Sequence, residues 1–337
     1  MKSGGLVHQS NRVGIQAEWR MKRAVYDDVV SFIQAQRWHF DNCLLALEKA
    51  FPQEHPRTLR SILGQEYQKV IKKRFPVYNT PSKKAEIYRD YQNLAQKRSE
   101  ADPIGKLSSK LHFSQFLTAR IILEEHIRAQ PHLYLDEGAT VTKYLVNQLA
   151  KNPNLVLDPE LATHIKWCIH ADPLYGPVVE GIKQAVGIEH EIRLQRELRQ
   201  LDIDFEDENY FRKVGCDKTP DVKLVVPFSV GPNIVNWVES KALFGDHESH
   251  ATYMKNQLYS YWNRFGPGMV IYWFGFVDDL NTKKHQGILV CDNLPLKSIS
   301  QLELEFKWDV DAWLEQEERE QADSELVITE RLHQLQV

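Results

Sequence analysis

The sequence predicts an α+β protein, with an all-α N-terminal half and a C-terminal α/β domain. Residues before about 175 show no strand-like alternation of apolar and polar positions. Runs that read as strands, at 222–230, 234–243, 268–277 and 287–291, appear only afterwards. Charge divides along the chain in the same sense. Residues 1–128 carry 22 Lys and Arg against 13 Asp and Glu, a net +9, and the other 209 carry 20 against 33, a net −13.

Residues 1–25 are expected to be a flexible N-terminus. Helices follow at 27–36, 41–51 and 58–75, with Pro52 and Pro56 breaking the chain before the third and Thr58 placed to cap it. That third helix ends in the basic run Lys69-Val70-Ile71-Lys72-Lys73-Arg74. A second unit begins near Ser82. Residues 104–111 form a short helix, His112-Phe113-Ser114 a turn, and 115–128 a helix capped by Ser114, with Phe116, Ala119, Ile122 and Leu123 facing inward. Short helix, tight turn and capped helix is a helix-turn-helix signature, so 26–135 reads as tandem helix-turn-helix units. In such a unit the start of the second helix enters the major groove, which makes Gln115, Thr118 and Arg120 candidate contacts. Lys72, Lys73 and Arg74 are candidate phosphate contacts through counterion release. The same helical shape also serves bundles that bind only protein. Residues 136–175 read as a helical connector, with Asp158 as N-cap and Pro159 at the first helical position.

The chemistry concentrates after that point, in a domain expected at 176–300. Side chains alternate faces along a strand, so Glu239 and Lys241 project from one face together with Val235 and Trp237. Asp221 starts the preceding strand, behind an extended entry set by Pro220. If the two strands pair as a hairpin, Asp221 lands near Glu239. Two carboxylates then hold a hard divalent cation, Mg²⁺ or Mn²⁺, with an ammonium beside it. That set suits phosphodiester hydrolysis: the cation activates water, and the lysine orients it or stabilises the charge that builds on phosphorus. On the helix that follows, at 249–264, Gln257 and Tyr261 share a face. Arg264 is a candidate phosphate contact. On the helix before the hairpin, at 177–201, Gly187-Ile188-Glu189-His190-Glu191 sets two metal-ligating residue types, His190 and Glu191, side by side. Adjacent helix positions point about 100° apart, so only one of them can serve, and a carboxylate suits Mg²⁺ better. His247 and His250 form His-x-x-His without a third zinc ligand.

Asp217-Lys218-Thr219-Pro220-Asp221 followed by Trp237-Val238-Glu239-Ser240-Lys241-Ala242 resembles the TPD-motif nucleases of the PD-(D/E)XK superfamily. Further matching stretches are Gln65-Glu66-Tyr67-Gln68-Lys69, Tyr175-Gly176-Pro177, His190-Glu191 and the segment from Ser260 to Gly268 with Val270-Ile271-Tyr272-Trp273 behind it. The resemblance covers roughly residues 30 to 292. It implies tandem helix-turn-helix units before a restriction-endonuclease-like core, that is, a mixed sheet flanked by helices. It also implies catalytic roles for Asp221, Glu239, Lys241, Glu191, Gln257 and Tyr261, and association with codanin-1, a protein linked to histone-chaperone handling. The competing reading is a catalytically silent scaffold or DNA-binding interaction protein in a chromatin complex.

Bulk properties fit that expectation. A length of 337 residues suggests two domains, and 42% hydrophobic residues suffice for real cores. No apolar run approaches the length of a membrane span, and the N-terminus lacks a hydrophobic signal segment. Cys43, Cys168, Cys216 and Cys291 are scattered without Cys-x-x-Cys spacing, which argues against structural zinc and a disulfide framework, and for reduced thiols in nucleus and cytoplasm. Residues 301–337 carry 3 Lys and Arg against 11 Asp and Glu, and are expected to be an acidic tail. A fragment of about 175–300 is expected to retain the chemistry on its own.

Overall fold

A computed structural model of the chain describes residues 19–36, 40–97, 101–213, 215, 218–281 and 287–301. Residues 1–18 of the expected flexible terminus and 302–337 of the expected acidic tail lie outside the described residues. The expected mixture of helix and sheet is present, with helices alone until residue 204 apart from one two-residue strand.

That strand, β1 (Arg20–Met21), and the first turn of the next helix fall within the segment expected to be flexible. Met21 is buried there. Helix α1 (Arg23–Ala35) buries Tyr26, Val29 and Ile33, the 3-4 spacing of an amphipathic face. α2 (Phe40–Ala50) follows. α3 (Pro56–Tyr78) starts two residues before the expected position because Pro56 sits at N1 and His55 caps, accepting from the Arg57 N–H. Thr58, expected as the cap, is inside the helix and buried. Next come α4 (Pro81–Ala95) and α5 (Pro103–Leu111), the latter capped by Asp102 and stopped by His112 at φ 48°. α6 (Gln115–Ala129) is capped by Ser114, as expected. α7 (Pro131–Tyr134), α8 (Lys143–Lys151) and α9 (Pro159–Ala171) complete the helical half, with Asp158 capping α9 through two backbone N–H groups.

α10 (Pro177–Gln200) leads to the sheet. β2 (Phe205–Asp207) is followed by α11 (Glu208–Lys213) and by the hairpin of β3 (Val222–Val230) and β4 (Asn233–Lys241). α12 (His247–Tyr253) passes through a π-helical turn, Met254–Leu258, into α13 (Tyr259–Phe265). The run expected as one strand at 268–277 breaks into β5 (Gly268–Tyr272) and β6 (Phe276–Val277), because Gly275 at φ 88° turns the chain. β7 (Ile288–Cys291) follows.

The main sheet runs β2-β3-β4-β5-β7, antiparallel through β4 and parallel beyond it. β5 is buried along its whole length, as a central strand covered on both faces must be. β1 pairs in parallel with β6.

Residues 19–299 belong to one compact unit, and the two halves read from the sequence are not separate within it. One apolar core begins in the helical half with Ile33, Leu63 and Ile122 and continues through Trp237, Phe244, Tyr261, Tyr272 and Phe276 of the sheet half. The Tyr26 and Phe244 rings stack at 5.8 Å. A second core lies on the opposite sheet face, where Leu194 and Leu198 of α10 meet Val222, Val238, Ile271 and Trp273. The expected self-sufficient fragment at 175–300 would therefore have to expose the first of these cores. Cys43, Cys168 and Cys291 are buried free thiols. Among the described residues, no helix is long and apolar enough to cross a membrane.

Candidate active site

Strand register brings the two carboxylates together. Val222 pairs with Val238 across the β3–β4 hairpin, so Asp221 stands beside Glu239. Trp237 meets Tyr261 and Lys241 meets Gln257, so these odd-numbered residues of β4 face α13 and the π-helical turn, whereas Val235, expected on the same face, packs in the core on the α10 side. Even-numbered ones face α10, where the Ser240 hydroxyl accepts from Trp273 Nε1 at 2.8 Å. Asp221 Oδ2 accepts from the Ser240 N–H at 2.7 Å, and Glu239 Oε2 takes the Asp221 N–H at 3.4 Å. Lys241 Nζ donates to Glu239 Oε1 at 2.5 Å and to Gln257 Oε1 at 3.2 Å. Its ammonium also sits 4.9 Å from the centre of the Tyr253 ring. Glu239 is 3% exposed, so this is a buried charge cluster.

Electrostatics follow from that burial. Desolvation, then the Glu239 charge, holds the Asp221 carboxyl well above its usual range, against the Ser240 N–H and Lys241. Desolvation also raises Glu239, with Lys241 opposing it. For Lys241, burial alone would lower the ammonium, but the charge and hydrogen bond of Glu239 prevail and hold it above its usual value. Glu191 on α10 feels the same field: burial raises it, then the charge of Glu208, while Lys241 opposes. Asp221 and Glu239 both sense the Glu191 charge in turn.

The neighbouring His190 turns away from this cluster. It is buried, its Nδ1 lies 2.8 Å from the Val186 carbonyl, and its ring packs 5.3 Å from Trp273 and 5.6 Å from Phe274. Tyr261 is buried edge-on to Trp237 at 5.4 Å and forms a wall behind Glu239. Burial, then the charges of Glu239 and Asp221, raises its phenol well above the ordinary value. Arg264 reaches over the loop that enters β3, its Nη1 3.4 Å from the Lys218 carbonyl. Lys218 Nζ in turn donates to the Asn256 carbonyl at 3.1 Å.

Tyr253 went unread in the sequence. Its signal was the four-residue step back from Gln257 on one helix face. His247 pairs with Asp279 at 2.6 Å and His250 with the Tyr272 hydroxyl at 2.9 Å, so this His-x-x-His is engaged elsewhere.

The remaining candidates lie in the helical half. Lys72 and Lys73 are exposed on α3. Arg74 is tied to the end of α5, donating to the carbonyls of Leu111 at 3.0 Å and His112 at 2.7 Å. Thr118 has no exposed surface, and its hydroxyl donates to the Ser114 carbonyl at 2.8 Å, so it does not present itself to a groove. Arg120 is partly buried, and burial lowers its guanidinium. Gln115 is partly exposed beside a cleft of about 220 Å³ lined by Phe40, Ser108, His112 and Asp172. The start of α6 is already closed: Asp172 Oδ2 takes the Ser114 hydroxyl at 2.5 Å and the Phe116 N–H at 3.1 Å.

Among the described residues no three His, Cys, Asp or Glu side chains converge on one point as a ready-made metal cage. Mg²⁺ does not need one, because it is ordinarily held by one or two carboxylates and keeps several waters. The donor set fits such an ion. Two adjacent carboxylates, with a third that interacts with both, face a single ammonium, and burial, then the carboxylates' mutual repulsion, raises them.

Residues 157–294 match a family described as "Protein of unknown function TPD sequence-motif". CDAN1-interacting nuclease 1 of Xenopus laevis is 41% identical over 276 residues, spanning 82% of this chain and 89% of its own. The Danio rerio protein of that name is 39% identical over 278 residues, spanning 82% and 90%. The Homo sapiens one is 40% identical over 247 residues, spanning 73% and 86%. No solved structure matches.

Proposed function

The chain belongs to the CDAN1-interacting nuclease 1 family, and from that membership we propose that it is a metal-dependent nuclease hydrolysing phosphodiester bonds in nucleic acid, DNA in the first instance. The observation that carries this reading is the charge balance of the site: Asp221, Glu239 and Glu191 against Lys241. Element order supports a PD-(D/E)XK restriction-endonuclease-like core. A helix bearing Glu191 precedes a hairpin bearing Asp221 and Glu239-x-Lys241, and a helix bearing Gln257 and Tyr261 precedes the central strand.

Asp221 and Glu239 would hold Mg²⁺ or Mn²⁺, with Glu191 nearby as a third carboxylate. Such an ion, when bound, lowers the pKa of a coordinated water and offsets charge on the phosphate. The rest falls to side chains. Without metal, Glu239 holds the Lys241 ammonium above its usual value, and this side chain would donate to the attacked phosphate or orient the incoming water. Gln257 fixes the ammonium from the opposite side. Tyr261 and Trp237 close the back of the site to solvent, which strengthens every charge interaction within it.

A second role for the helical half has its own support. The N-terminus of α6, which would read a groove in a helix-turn-helix unit, is occupied by the Asp172 carboxylate. A phosphate arriving there would meet a like charge. Lys72 and Lys73 remain free to track a nucleic-acid backbone, while the bundle around α6 suits a protein partner of the codanin-1 kind, met in nucleus or cytoplasm.

The test is a panel of labelled single- and double-stranded DNA and RNA with Mg²⁺ or Mn²⁺. Cation-dependent cleavage is expected, abolished by chelator. Cleavage that persists in chelator would remove the metal from the reading, and no cleavage of any substrate would remove the nuclease. Calorimetry with Mn²⁺ separates the two first-helix candidates. Glu191→Gln should weaken affinity about tenfold, the scale seen when supporting groups of a metal site are lost. His190→Gln should leave affinity unchanged and lower the melting temperature, because it disturbs packing on Trp273. The reverse pattern would exchange their roles.

A further inference from the structure

One stripe of α3, a helix of the N-terminal half, is bonded to the chain that links Lys241 to Gln257 and, at its first residue, to the turn after β5. Thr58, Ser61, Gln65 and Lys69 recur at helical spacing and so share a face. The Thr58 hydroxyl donates to the Phe274 carbonyl at 2.7 Å. Ser61 Oγ accepts from the Phe244 N–H at 2.8 Å. Gln65 Nε2 donates to the Phe244 carbonyl at 2.8 Å and lies 3.3 Å from Ser249 Oγ. Lys69 meets the Glu248 carboxylate at 3.0 Å.

The segment so held is short and consequential. β4 ends at Lys241, and three residues later Phe244 has both backbone polar groups taken by α3 side chains. Asp246, 1% exposed, then caps α12 by accepting from the N–H groups of Glu248 at 2.8 Å and Ser249 at 2.9 Å. The Ser249 hydroxyl, beside Gln65, donates to the same carboxylate at 2.7 Å. Gln65 therefore touches both the exit from β4 and the first turn of the helix that brings Tyr253 and Gln257 to Lys241. Phe244 is fully buried, so leaving its carbonyl without this donor is costly.

We propose that Gln65 is a positioning residue for the catalytic lysine: through Phe244 and Ser249 it sets α12 against β4, and so fixes the geometry in which Lys241 is shared between Glu239 and Gln257. The helical half is then part of the catalytic frame and not an appended binding module. This inference rests on the nuclease reading above.

Full-length Gln65→Ala and Gln65→Glu test it. The second keeps the shape but turns an acceptor toward the Phe244 carbonyl. Each should lower kcat for Mn²⁺-dependent cleavage of labelled DNA by about 10- to 100-fold, the scale of a displacement of about 1 Å at a reacting centre. KM and the Mn²⁺ affinity measured by calorimetry should stay within about twofold. Amide exchange should rise within 242–258 and stay unchanged in α5 and α6. An unchanged kcat, a loss confined to KM, or exchange raised throughout the helical half would overturn the proposal. If the wild type neither cleaves nor binds Mn²⁺, the nuclease reading falls and takes this inference with it. If the wild type cleaves and Gln65→Ala equals it, this inference falls alone.

Discussion

Asp221→Asn is expected to lower cation-dependent cleavage by about 10³-fold, roughly 4 kcal/mol of barrier, while raising the thermal stability of the metal-free protein. The two effects have one origin. Asp221 is held above its usual carboxylate range by burial and by Glu239, so the folded protein without metal resists its ionisation. The asparagine oxygen can still accept the Ser240 N–H, but it brings no charge. For a carboxyl whose folded pKa is raised, the stabilising contribution is complete below the unfolded value, about 4, and is lost as pH rises through the folded one. The metal-free wild type should therefore lose melting temperature as pH climbs out of the acidic range, and Asp221→Asn should lose less. Mn²⁺ should restore the wild type increasingly with pH, because only ionised carboxylates bind it. Thermal scans over a pH series with and without Mn²⁺, beside a cleavage assay, measure all of this. A variant that still cleaves, or that melts lower than wild type at every pH, would exclude the proposed ligand pair.

Residues 176–300 expressed alone should fail to unfold cooperatively and should have no measurable activity. Removing the helical half uncovers Phe244, Tyr272 and Phe276, which are fully buried, and strips the Phe244 backbone of both its side-chain partners. An exposed apolar face of that kind is an aggregation liability. Dye binding without a sharp melting transition is the expected signature. A sharp transition with wild-type cleavage would mean that the shared core is dispensable.

The site was more legible in the sequence than its surroundings, and the reason is range. Asp221, Glu239 and Lys241 are related by strand period and one hairpin, and Gln257 and Tyr261 by one helix face, so local rules suffice to bring them together. The choice between His190 and Glu191 needed tertiary detail. Only the Trp273 and Phe274 rings show why the imidazole turns away. The join between halves had no local signature at all. Tyr26 meets Phe244, and Thr58 meets Phe274, across some two hundred residues of chain. Thr58, legible as a cap, is instead a cross-link, because Pro56 and His55 start the helix earlier. Thr118 looked available for a groove because its burial in the bundle has no local signature, and Asp172, which closes the start of α6, lies far along the chain.

The π-helical turn at Met254–Leu258 has a consequence for how such a chain can change over generations. A π turn amounts to one residue more than an α-helix would use in the same place. It sits between Tyr253, beneath the Lys241 ammonium, and Tyr261, against Trp237, with Gln257 inside it. Deleting one residue there would heal the helix into regular α geometry, a local gain. It would also swing everything after the cut by about 100°, taking Tyr261 off its wall and Arg264 off the entry loop. Substitutions at the exposed Lys255 and Asn256 should be absorbed, because they leave the count intact. In a lineage that accepts insertions and deletions freely in its surface loops, this stretch is expected to drift in identity and hold its length.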